Sequence, residues 1–249
     1  MRKINCFQEN FDEKKSNGFV RLNLDETFYL VKVMRVRLNE EVRLLNGKGI
    51  IWNCIVRGID RSGAILELGQ KKVFEKPNWR ISLIQCLPKN KALDSVIRKA
   101  TELGIHNFVP ISSQHSEVSL ESFRKDLKLE RLKAISMDAC KQSGNPFLPI
   151  IEPVQELENH LSYSLKGKRA DTRILLASLS KEAVPIKVAF QKPSKSQDVI
   201  CLVGPEGDFS PQEYEYLRSI GAQEVNLGPT VLRVETAATV LVSSVLNFL

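Results

Sequence analysis

The sequence lacks the features of a membrane, secreted or metal-binding protein. Its longest apolar runs are about 5 to 7 residues, well short of the roughly 20 that a bilayer-spanning helix needs. The amino-terminal stretch has no apolar core of signal-peptide length. The five cysteines are scattered with no Cys-x-x-Cys pair, and the three histidines add no metal-ligand spacing. We therefore expect a cytoplasmic protein with buried free thiols, no bound metal and no membrane contact.

The positive charge is unevenly spread. Residues 1–78 hold 15 Lys and Arg against 10 Asp and Glu, a net charge of +5. The remaining 171 residues hold 21 against 19, a net charge of only +2. The first part therefore attracts polyanions such as nucleic acid more strongly, although a solvated, solubilising surface explains the same charge equally well.

The first 75 residues are rich in short β-type segments. Asn46-Gly47 and Ser62-Gly63 have the composition of hairpin turns, and a small closed barrel would protect such short edges. Residues 26–37 are the exception. There, four apolar side chains have a spacing that would place them on one face of a helix: Phe28, Leu30, Val31 and Met34.

After the Lys76-Pro77-Asn78 segment, which has the composition of a linker, strands and helices alternate. The pattern predicts strands at residues 81–87, 107–111, 173–178, 199–204 and 224–227. It predicts helices at 93–103, 121–143, 211–220 and 234–248. Ser210, Pro211 and Glu213 form a capping box with proline at the first helical position. This alternation predicts an α/β domain with a parallel sheet and right-handed crossovers.

Two turn-forming segments near the carboxyl end each follow an apolar strand. They are LVGPEGDFSP at residues 202–211 and LGPTVLRVETAA at residues 227–238. In an open α/β sheet, ligands bind outside the carboxyl ends of the strands, where such loops lie. Neither segment has a P-loop or the glycine fingerprint of a dinucleotide site. The two loops together predict a small-molecule pocket built largely from backbone groups.

The second loop places charged residues at the start of an apolar helix. Glu235 and Thr236 suit the positive end of a helix, where Glu235 would serve equally well as a cap. An arginine such as Arg233 before a buried helix usually has an anionic partner. That partner is either a ligand or one of the nearby carboxylates of Glu206 and Glu235.

The same segments carry a family resemblance that spans nearly the whole chain. Both loops are similar to those of SPOUT methyltransferases of the RsmE type. The resemblance extends to residues 87–116, with Lys-Ala-Thr-Glu-Leu-Gly, to DACKQSGNPFLPII at 138–151, and to KVMRVRLNEEVRLLNGKG at 32–49. It implies a PUA-like RNA-binding β-barrel at 1–75 and a SPOUT domain with a trefoil knot at 79–249. By pattern alone we would expect an unknotted open sheet.

The resemblance also implies a function. The family methylates N3 of a uridine in the 16S rRNA of the small ribosomal subunit, with S-adenosylmethionine as cofactor. It forms homodimers whose sites lie at the subunit interface. The cofactor residues expected from the matched loops are Ala177, Ser178, Leu179, Val203, Gly204, Pro205, Glu206, Gly207, Leu227, Gly228, Leu232, Arg233, Glu235, Thr236 and Ala237.

Arg233 and Gln142 are the expected catalytic residues. N3 of uracil must lose a proton before it can attack, so negative charge builds on a uracil oxygen, which Arg233 would stabilise. Gln142 would orient the base through hydrogen bonds to its edge. Basic side chains would bind RNA phosphates without sequence selectivity, and those predicted to do so are Arg21, Lys32, Arg35, Arg37 and Lys89.

The chain departs from the family pattern at three places, and the first two of them leave a second class of function open. Asp208 stands where the family usually has a second glycine, and Asn145 replaces the usual arginine after Gln-Ser. The family's His-His pair falls at Thr27-Phe28 or Phe28-Tyr29. A non-catalytic RNA-binding or ribosome-assembly protein that retains the SPOUT fold is therefore the alternative, and calorimetry with S-adenosylmethionine separates the two. A nucleotide enzyme with an ordinary Rossmann pocket is disfavoured, because the glycine fingerprint is missing.

Overall fold

Two compact units make up the chain. The computed structural model describes residues 4–9, 11, 17–89, 92–116, 128–165, 172–191 and 198–249. The first unit comprises Met1–Lys76 and Met137–Leu148, and the second comprises Pro77–Ser136 and Pro149–Leu249. The boundary after Lys76 falls at the predicted linker. The assignment of Met137–Leu148 to the first unit has no counterpart in the sequence pattern.

A five-stranded sheet forms the first unit. Its strands are β1 Asn5–Phe7, β2 Phe19–Arg21, β3 Glu41–Leu45, β4 Ile50–Asp60 and β5 Gly63–Val73. The hydrogen-bonded order is β1-β3-β4-β5-β2, with β1 and β3 parallel and the other pairs antiparallel. Both predicted hairpins are confirmed. The first turn spans residues 46–49 rather than two residues, because the Asn46 side chain accepts hydrogen bonds from the backbone N–H groups of Lys48 and Ile50.

The helix predicted at residues 26–37 is shorter and less regular than expected. Helix α1 spans Leu24–Phe28. The residue before it, Asn23, is its N-cap, and the Asn23 side chain accepts a hydrogen bond from the Glu26 N–H. A π-helical turn, Tyr29–Val33, follows it directly. Leu30 is buried, but Phe28 is 62% exposed, so the prediction that Phe28 lines an apolar face is wrong. The π-turn rotates the chain away from α-helical spacing, which the apolar pattern alone cannot show.

A buried ion pair lies inside the first unit. The Lys141 ammonium donates to the Glu26 carboxylate at 2.6 Å, and both side chains are largely buried. It also reaches Asp138 at 2.9 Å and lies 4.0 Å from the centre of the Tyr29 ring. Burial alone would lower the pKa of Lys141, but its hydrogen bonds and charge interactions with Glu26 and Asp138 outweigh burial and raise the pKa. This pair therefore joins α1 to the 137–148 segment.

An all-parallel sheet forms the second unit. Its strands are β6 Arg80–Cys86, β7 Asn107–Ser112, β8 Ile150–Ile151, β9 Gln155–Glu156, β10 Arg173–Ala177, β11 Val184–Pro185, β12 Asp198–Val203 and β13 Gln223–Asn226. The order is β11-β13-β10-β12-β6-β7-β8, with β9 also paired to β7. The prediction of a parallel-sheet α/β domain is confirmed. The trefoil knot stays a prediction.

Helices cover both faces of this sheet. They are α2 Ala92–Glu102, α3 Lys128–Ser143, of which only the part before Met137 belongs to this unit, α4 Leu157–Leu165, α5 Ile186–Ala189, α6 Pro211–Ser219 and α7 Val234–Leu246. In β12, Val199 and Cys201 pack on the side of α2 and α7, whereas Ile200 and Leu202 pack on the side of α4 and α6. Residues that alternate between two buried faces explain why this strand is apolar without interruption.

Most of the predicted helix boundaries agree with the structure. Gly104 follows α2 and Gly221 follows α6, each with a positive φ angle of the kind that ends a helix. The capping box before α6 is present, with the Ser210 hydroxyl accepting from the Glu213 N–H. Helix α3 begins at Lys128 in the described chain, and the first part of its predicted range, residues 121–127, lies outside the described residues.

The predicted free thiols are confirmed, since all five cysteines are unpaired and buried. Burial raises the pKa of the Cys54 and Cys140 thiols to about 12, which keeps them protonated at neutral pH. Within the described part of the chain, none of the helices is both long and apolar enough to cross a membrane.

We expect the substitution Lys141→Met to destabilise the protein by about 3–5 kcal/mol, because it leaves the buried Glu26 carboxylate without a counter-charge. The free energy of unfolding, measured by urea denaturation, tests this. Lys133→Met is the matched control. It breaks the exposed pair of Lys133 with Glu130, which typically contributes about 1 kcal/mol or less. Equal losses for the two variants would contradict a structural role for the buried pair.

Candidate functional site

A cavity of about 300 Å³ lies at the carboxyl ends of three neighbouring strands, β10, β12 and β13. Strand β10 pairs in parallel with both β12 and β13, so the loops that leave the three strands meet at one edge of the sheet. The volume is at the lower end of the range for small-molecule sites. Mostly apolar side chains and backbone line it.

Three residues at the end of β10 line the cavity, Ala177, Ser178 and Leu179. Ser178 is buried, and its hydroxyl donates to the Glu224 carboxylate at 2.7 Å. Leu179 is 61% exposed despite its apolar side chain. An exposed leucine at the rim of a cavity offers a surface that a ligand or a partner would cover.

The loop after β12 contributes Val203, Gly204, Pro205, Glu206 and Asp208. Gly204 packs so closely that a Cβ atom there would lie 3.1 Å from the Phe209 ring, so a larger residue would push that ring away. The Glu206 carboxylate accepts hydrogen bonds from the backbone N–H of Lys89. Close packing of backbone thus shapes this wall of the cavity.

Asp208 occupies a backbone conformation that explains why glycine is usual at its position. Its φ angle is +61°, in the left-handed region that glycine adopts freely and that aspartate tolerates better than most residues. The Asp208 carboxylate accepts from its neighbour's backbone, the Phe209 N–H, at 2.8 Å. The departure from the family pattern therefore preserves the turn.

Asp208 belongs to a polar network behind the cavity. The Tyr214 hydroxyl donates to the Asp208 carboxylate at 2.9 Å and lies 3.3 Å from the Ser178 hydroxyl. The Arg218 guanidinium donates to the Glu224 carboxylate at 2.8 Å. Burial raises the pKa of Tyr214, and the Asp208 and Glu224 charges raise it further, whereas the Ser178 hydrogen bond opposes them. Tyr214 is therefore a protonated donor at neutral pH.

The loop after β13 forms the opposite wall. The Asn226 side chain accepts a hydrogen bond from the Gly228 N–H at 2.8 Å, and Gly228 has a φ angle of +155°, which favours glycine. Leu227, Thr230 and Val231 also line the cavity. Val231 is 76% exposed, which gives the cavity a second apolar rim residue opposite the β10 loop.

Arg233 lies at the start of α7 and lines the cavity. Its carbonyl accepts from the N–H groups of Thr236 and Ala237, which fixes the first helical turn. Its side chain is exposed. Among the described residues no carboxylate forms an ion pair with its guanidinium, so neither Glu206 nor Glu235 is the anionic partner that the sequence left open. The guanidinium therefore remains available to an anionic group.

Twelve of the fifteen predicted cofactor residues line the cavity, and Leu232 and Ala237 are among them. Gly207, Glu235 and Thr236 do not. Gly207 packs against His115. Glu235 and Thr236 lie between Val234 and Ala237, which are one helical turn apart and face the cavity, so these two residues turn to other sides of α7.

Three lining residues, Asp208, Asn226 and Val234, are not among the cofactor residues expected from the sequence, although Asp208 and Val234 lie within the two predicted segments. Asp208 was noted only as a departure from the family. Asn226 stood inside a predicted strand. The only sequence feature that indicates a place in the lining for these residues is that each stands near the end of a strand or the start of a helix. Thr230 and Val231 fall within the loop that was predicted as a whole.

Gln142 is not a lining residue of the cavity. It belongs to the first unit, where its side chain donates to the Tyr29 hydroxyl at 3.4 Å. Of the predicted RNA-binding side chains in that unit, Lys32, Arg35 and Arg37 are exposed. Arg21 is exposed too, but its guanidinium is held by the Asp60 carboxylate at 2.7 Å. That bond strongly lowers the pKa of Asp60.

Comparisons with known proteins give the family. The model for an RNA methyltransferase domain matches residues 75–246, and the model for the RNA methyltransferase PUA domain matches residues 22–69. Ribosomal RNA small subunit methyltransferase E of Aquifex aeolicus is 33% identical, covering 96% of this chain and 98% of the relative. Its counterpart in Mycobacterium bovis is 28% identical, covering 89% of this chain and 83% of the relative.

A solved structure shows the same fold. Ribosomal RNA small subunit methyltransferase E from Neisseria gonorrhoeae, bound to S-adenosyl methionine, superposes with a TM-score of 0.82 at 24% identity, covering 99% of this chain and 98% of that one. Together with the match of the family model over residues 75–246 and the relative at 33% identity, this confirms the predicted family. The chain belongs to the ribosomal RNA small subunit methyltransferase E family of RNA methyltransferases.

Proposed function

We propose that this protein transfers the methyl group of S-adenosylmethionine to N3 of a uridine in 16S rRNA. The observation that carries the proposal is the cavity itself, in which the three loops predicted to hold the cofactor meet at one edge of the sheet. Membership of the methyltransferase E family supports the same RNA class. We propose further that the reaction takes place in the cytoplasm, which agrees with a ribosomal RNA substrate.

The lining of the cavity fits this cofactor. S-adenosylmethionine has a flat adenine, which apolar side chains such as Leu179 and Val231 are suited to cover. It has polar groups that backbone N–H and C=O groups in the two glycine-containing loops can pair with, and Gly204 lets the backbone approach closely. When bound, the cofactor supplies a methyl group carried on a positively charged sulfur.

Arg233 is proposed to stabilise the negative charge that develops on a uracil oxygen as N3 loses its proton. Its exposed guanidinium has no carboxylate partner among the described residues, and it stands at the positive end of α7. An arginine positioned in this way stabilises a developing oxyanion without having to break an existing ion pair. The protein would also hold N3 in line with the methyl group, since orientation lowers the barrier substantially.

Gln142 is proposed to orient the uracil through hydrogen bonds to its edge. Its bond to the Tyr29 hydroxyl is long, at 3.4 Å, so exchange for a base would cost little. Both residues belong to the first unit. Tyr29 is also one of the positions onto which the family's histidine pair falls, so in this chain a phenol stands beside the proposed base-orienting residue.

The exposed cations of the first unit are proposed to bind RNA phosphates. Lys32, Arg35 and Arg37 fall within a six-residue stretch of the PUA-domain match. Lys89 in the second unit is included in the proposal. The homodimer that the family resemblance implies is also part of the proposal.

Asp208 does not favour the non-catalytic alternative. The carboxylate side chain enters the lining, yet the left-handed turn is kept and a cavity remains. Asn145 forms a local turn, in which its side chain accepts from the Phe147 N–H. We therefore retain methyl transfer as the function, and binding of S-adenosylmethionine in a calorimeter separates it from a purely structural role.

The decisive experiment is reverse transcription of 16S rRNA from a strain that lacks the protein. A methyl group on N3 blocks the Watson–Crick edge of uridine, so wild-type rRNA stops the polymerase at one position. We expect that stop to disappear in the deletion strain and to return when the wild-type gene is supplied. A stop that persists without the protein would refute the proposed reaction.

We expect Arg233→Ala to lower the rate of methyl transfer about 10²- to 10³-fold. This is the usual cost of removing one group that stabilises a developing oxyanion. Binding of S-adenosylmethionine should be retained. Single-turnover transfer of labelled methyl and calorimetry measure the two quantities. Arg131→Ala is the matched control, since Arg131 is an exposed arginine of the same unit that pairs with Asp94. Unchanged turnover in Arg233→Ala would refute its role.

We expect the double substitution Lys32→Gln and Arg37→Gln to weaken binding of a 16S rRNA fragment and to reduce its salt dependence. Each lost phosphate contact should lower the slope of log K against log salt by about 0.7–0.9. Arg21→Gln is the control, because its guanidinium is already paired with Asp60, and its effect should be smaller. A slope unchanged in the double variant would exclude phosphate contacts at these two positions.

A further inference from the structure

The Asp208 carboxylate lies in the lining of the cavity, and the proposed reaction assigns it no role. It lines the cavity and is half-buried. Its hydrogen-bond donors are the Tyr214 hydroxyl and the Phe209 N–H. Both donors are neutral, so they orient the carboxylate but leave its negative charge in place.

Asp208 differs from Glu224, its neighbour in the polar network, in having no counter-charge. Glu224, in the same network, is paired with the Arg218 guanidinium at 2.8 Å. Among the described residues, no Lys, Arg or His nitrogen lies within ion-pair distance of the Asp208 carboxylate. A half-buried anion without a partner is stabilised by any cation that enters the cavity.

The charge of the ligand changes during methyl transfer. S-adenosylmethionine carries a positive sulfonium and an ammonium group, and loss of the methyl group leaves a neutral thioether while the ammonium stays. The donor and its product, S-adenosylhomocysteine, therefore differ by one positive charge at sulfur. A nearby carboxylate interacts with that charge in the donor alone.

We propose that Asp208 is a specificity-determining residue that makes the cavity prefer the cationic methyl donor over its neutral product. This inference rests on the proposed function. Its consequence is weaker product inhibition, because the spent cofactor loses an attraction that the fresh cofactor has. In relatives with glycine at this position the same turn would lack that attraction.

The Tyr214 hydroxyl offers a control that changes the hydrogen bonding of this carboxylate and not its charge. The hydroxyl contacts both carboxylate oxygens, at 2.9 and 3.0 Å, and Tyr214 does not line the cavity itself. Tyr214→Phe therefore removes an orienting hydrogen bond and keeps the charge. Asp208→Asn does the reverse, since asparagine tolerates the left-handed conformation, still accepts from Tyr214, and has no charge.

The test is calorimetric titration of the full-length protein and the two variants with S-adenosylmethionine and S-adenosylhomocysteine. The measured quantity is the ratio of the product's Kd to the donor's Kd. We expect this ratio to fall about tenfold in Asp208→Asn, on the scale of one charge-assisted interaction. In Tyr214→Phe both affinities change together and the ratio stays within about twofold of the wild type.

A third ligand separates charge from contacts with the methyl group. Sinefungin carries an amino group, positively charged at neutral pH, in place of the methylsulfonium. We expect Asp208→Asn to weaken sinefungin and the donor alike and to leave the product's affinity unchanged.

Two results would overturn the inference. An Asp208→Asn variant that keeps the wild-type ratio, or that weakens donor and product equally, shows that Asp208 does not distinguish the charge at sulfur, and it leaves the proposed function standing. Wild-type protein that binds neither donor nor product overturns the proposed function, and this inference with it.

Discussion

Parallel pairing of β10 with both β12 and β13 is the constraint on which the cavity depends. Hydrogen bonds of the backbone fix these three strands side by side and in one direction. Three loops that are far apart in the chain must then leave the sheet at the same edge. No side-chain contact between the loops is needed to bring them together, because the sheet has already done so.

The loops keep their shapes through positions that few residues can occupy. Gly204 packs closely against the Phe209 ring, and Asp208 and Gly228 have positive φ angles. Asp208 shows that such a constraint can be met by a residue other than glycine, which adds a charge to the cavity at little cost in backbone energy. The position at which this chain departs from the family pattern is therefore also the position that adds a carboxylate to the lining of the cavity.

The first unit contains long-range contacts that no local pattern in its sequence predicts. Glu26 and Lys141 are 115 residues apart in the chain, yet they form a buried ion pair. Glu26 also accepts from the Phe7 N–H, which connects the pair to β1. Removal of either partner would leave a buried charge, so the two segments are held together by a contact that is costly to break from one side.

Local rules predicted a large part of the structure. The capping box at Ser210 and the glycines after α2 and α6 predicted helix ends because these signals act within one turn. The π-turn at Tyr29–Val33 and the exposed Phe28 were not predicted, because apolar spacing assumes regular helical geometry. Most of the residues that line the cavity lie in the two glycine-proline segments or at positions that the family resemblance implied.

The sequence by itself determined the alternation of strands and helices and the two loops that line the cavity, since each depends on residues close together in the chain. Only the tertiary structure decided which of these residues meet. It placed Asp208 beside Tyr214 and Ser178, left Arg233 without a carboxylate partner among the described residues, and turned Glu235 and Thr236 away from the cavity. Those outcomes depend on strand order and on the rotation of α7, which arise from packing between distant segments.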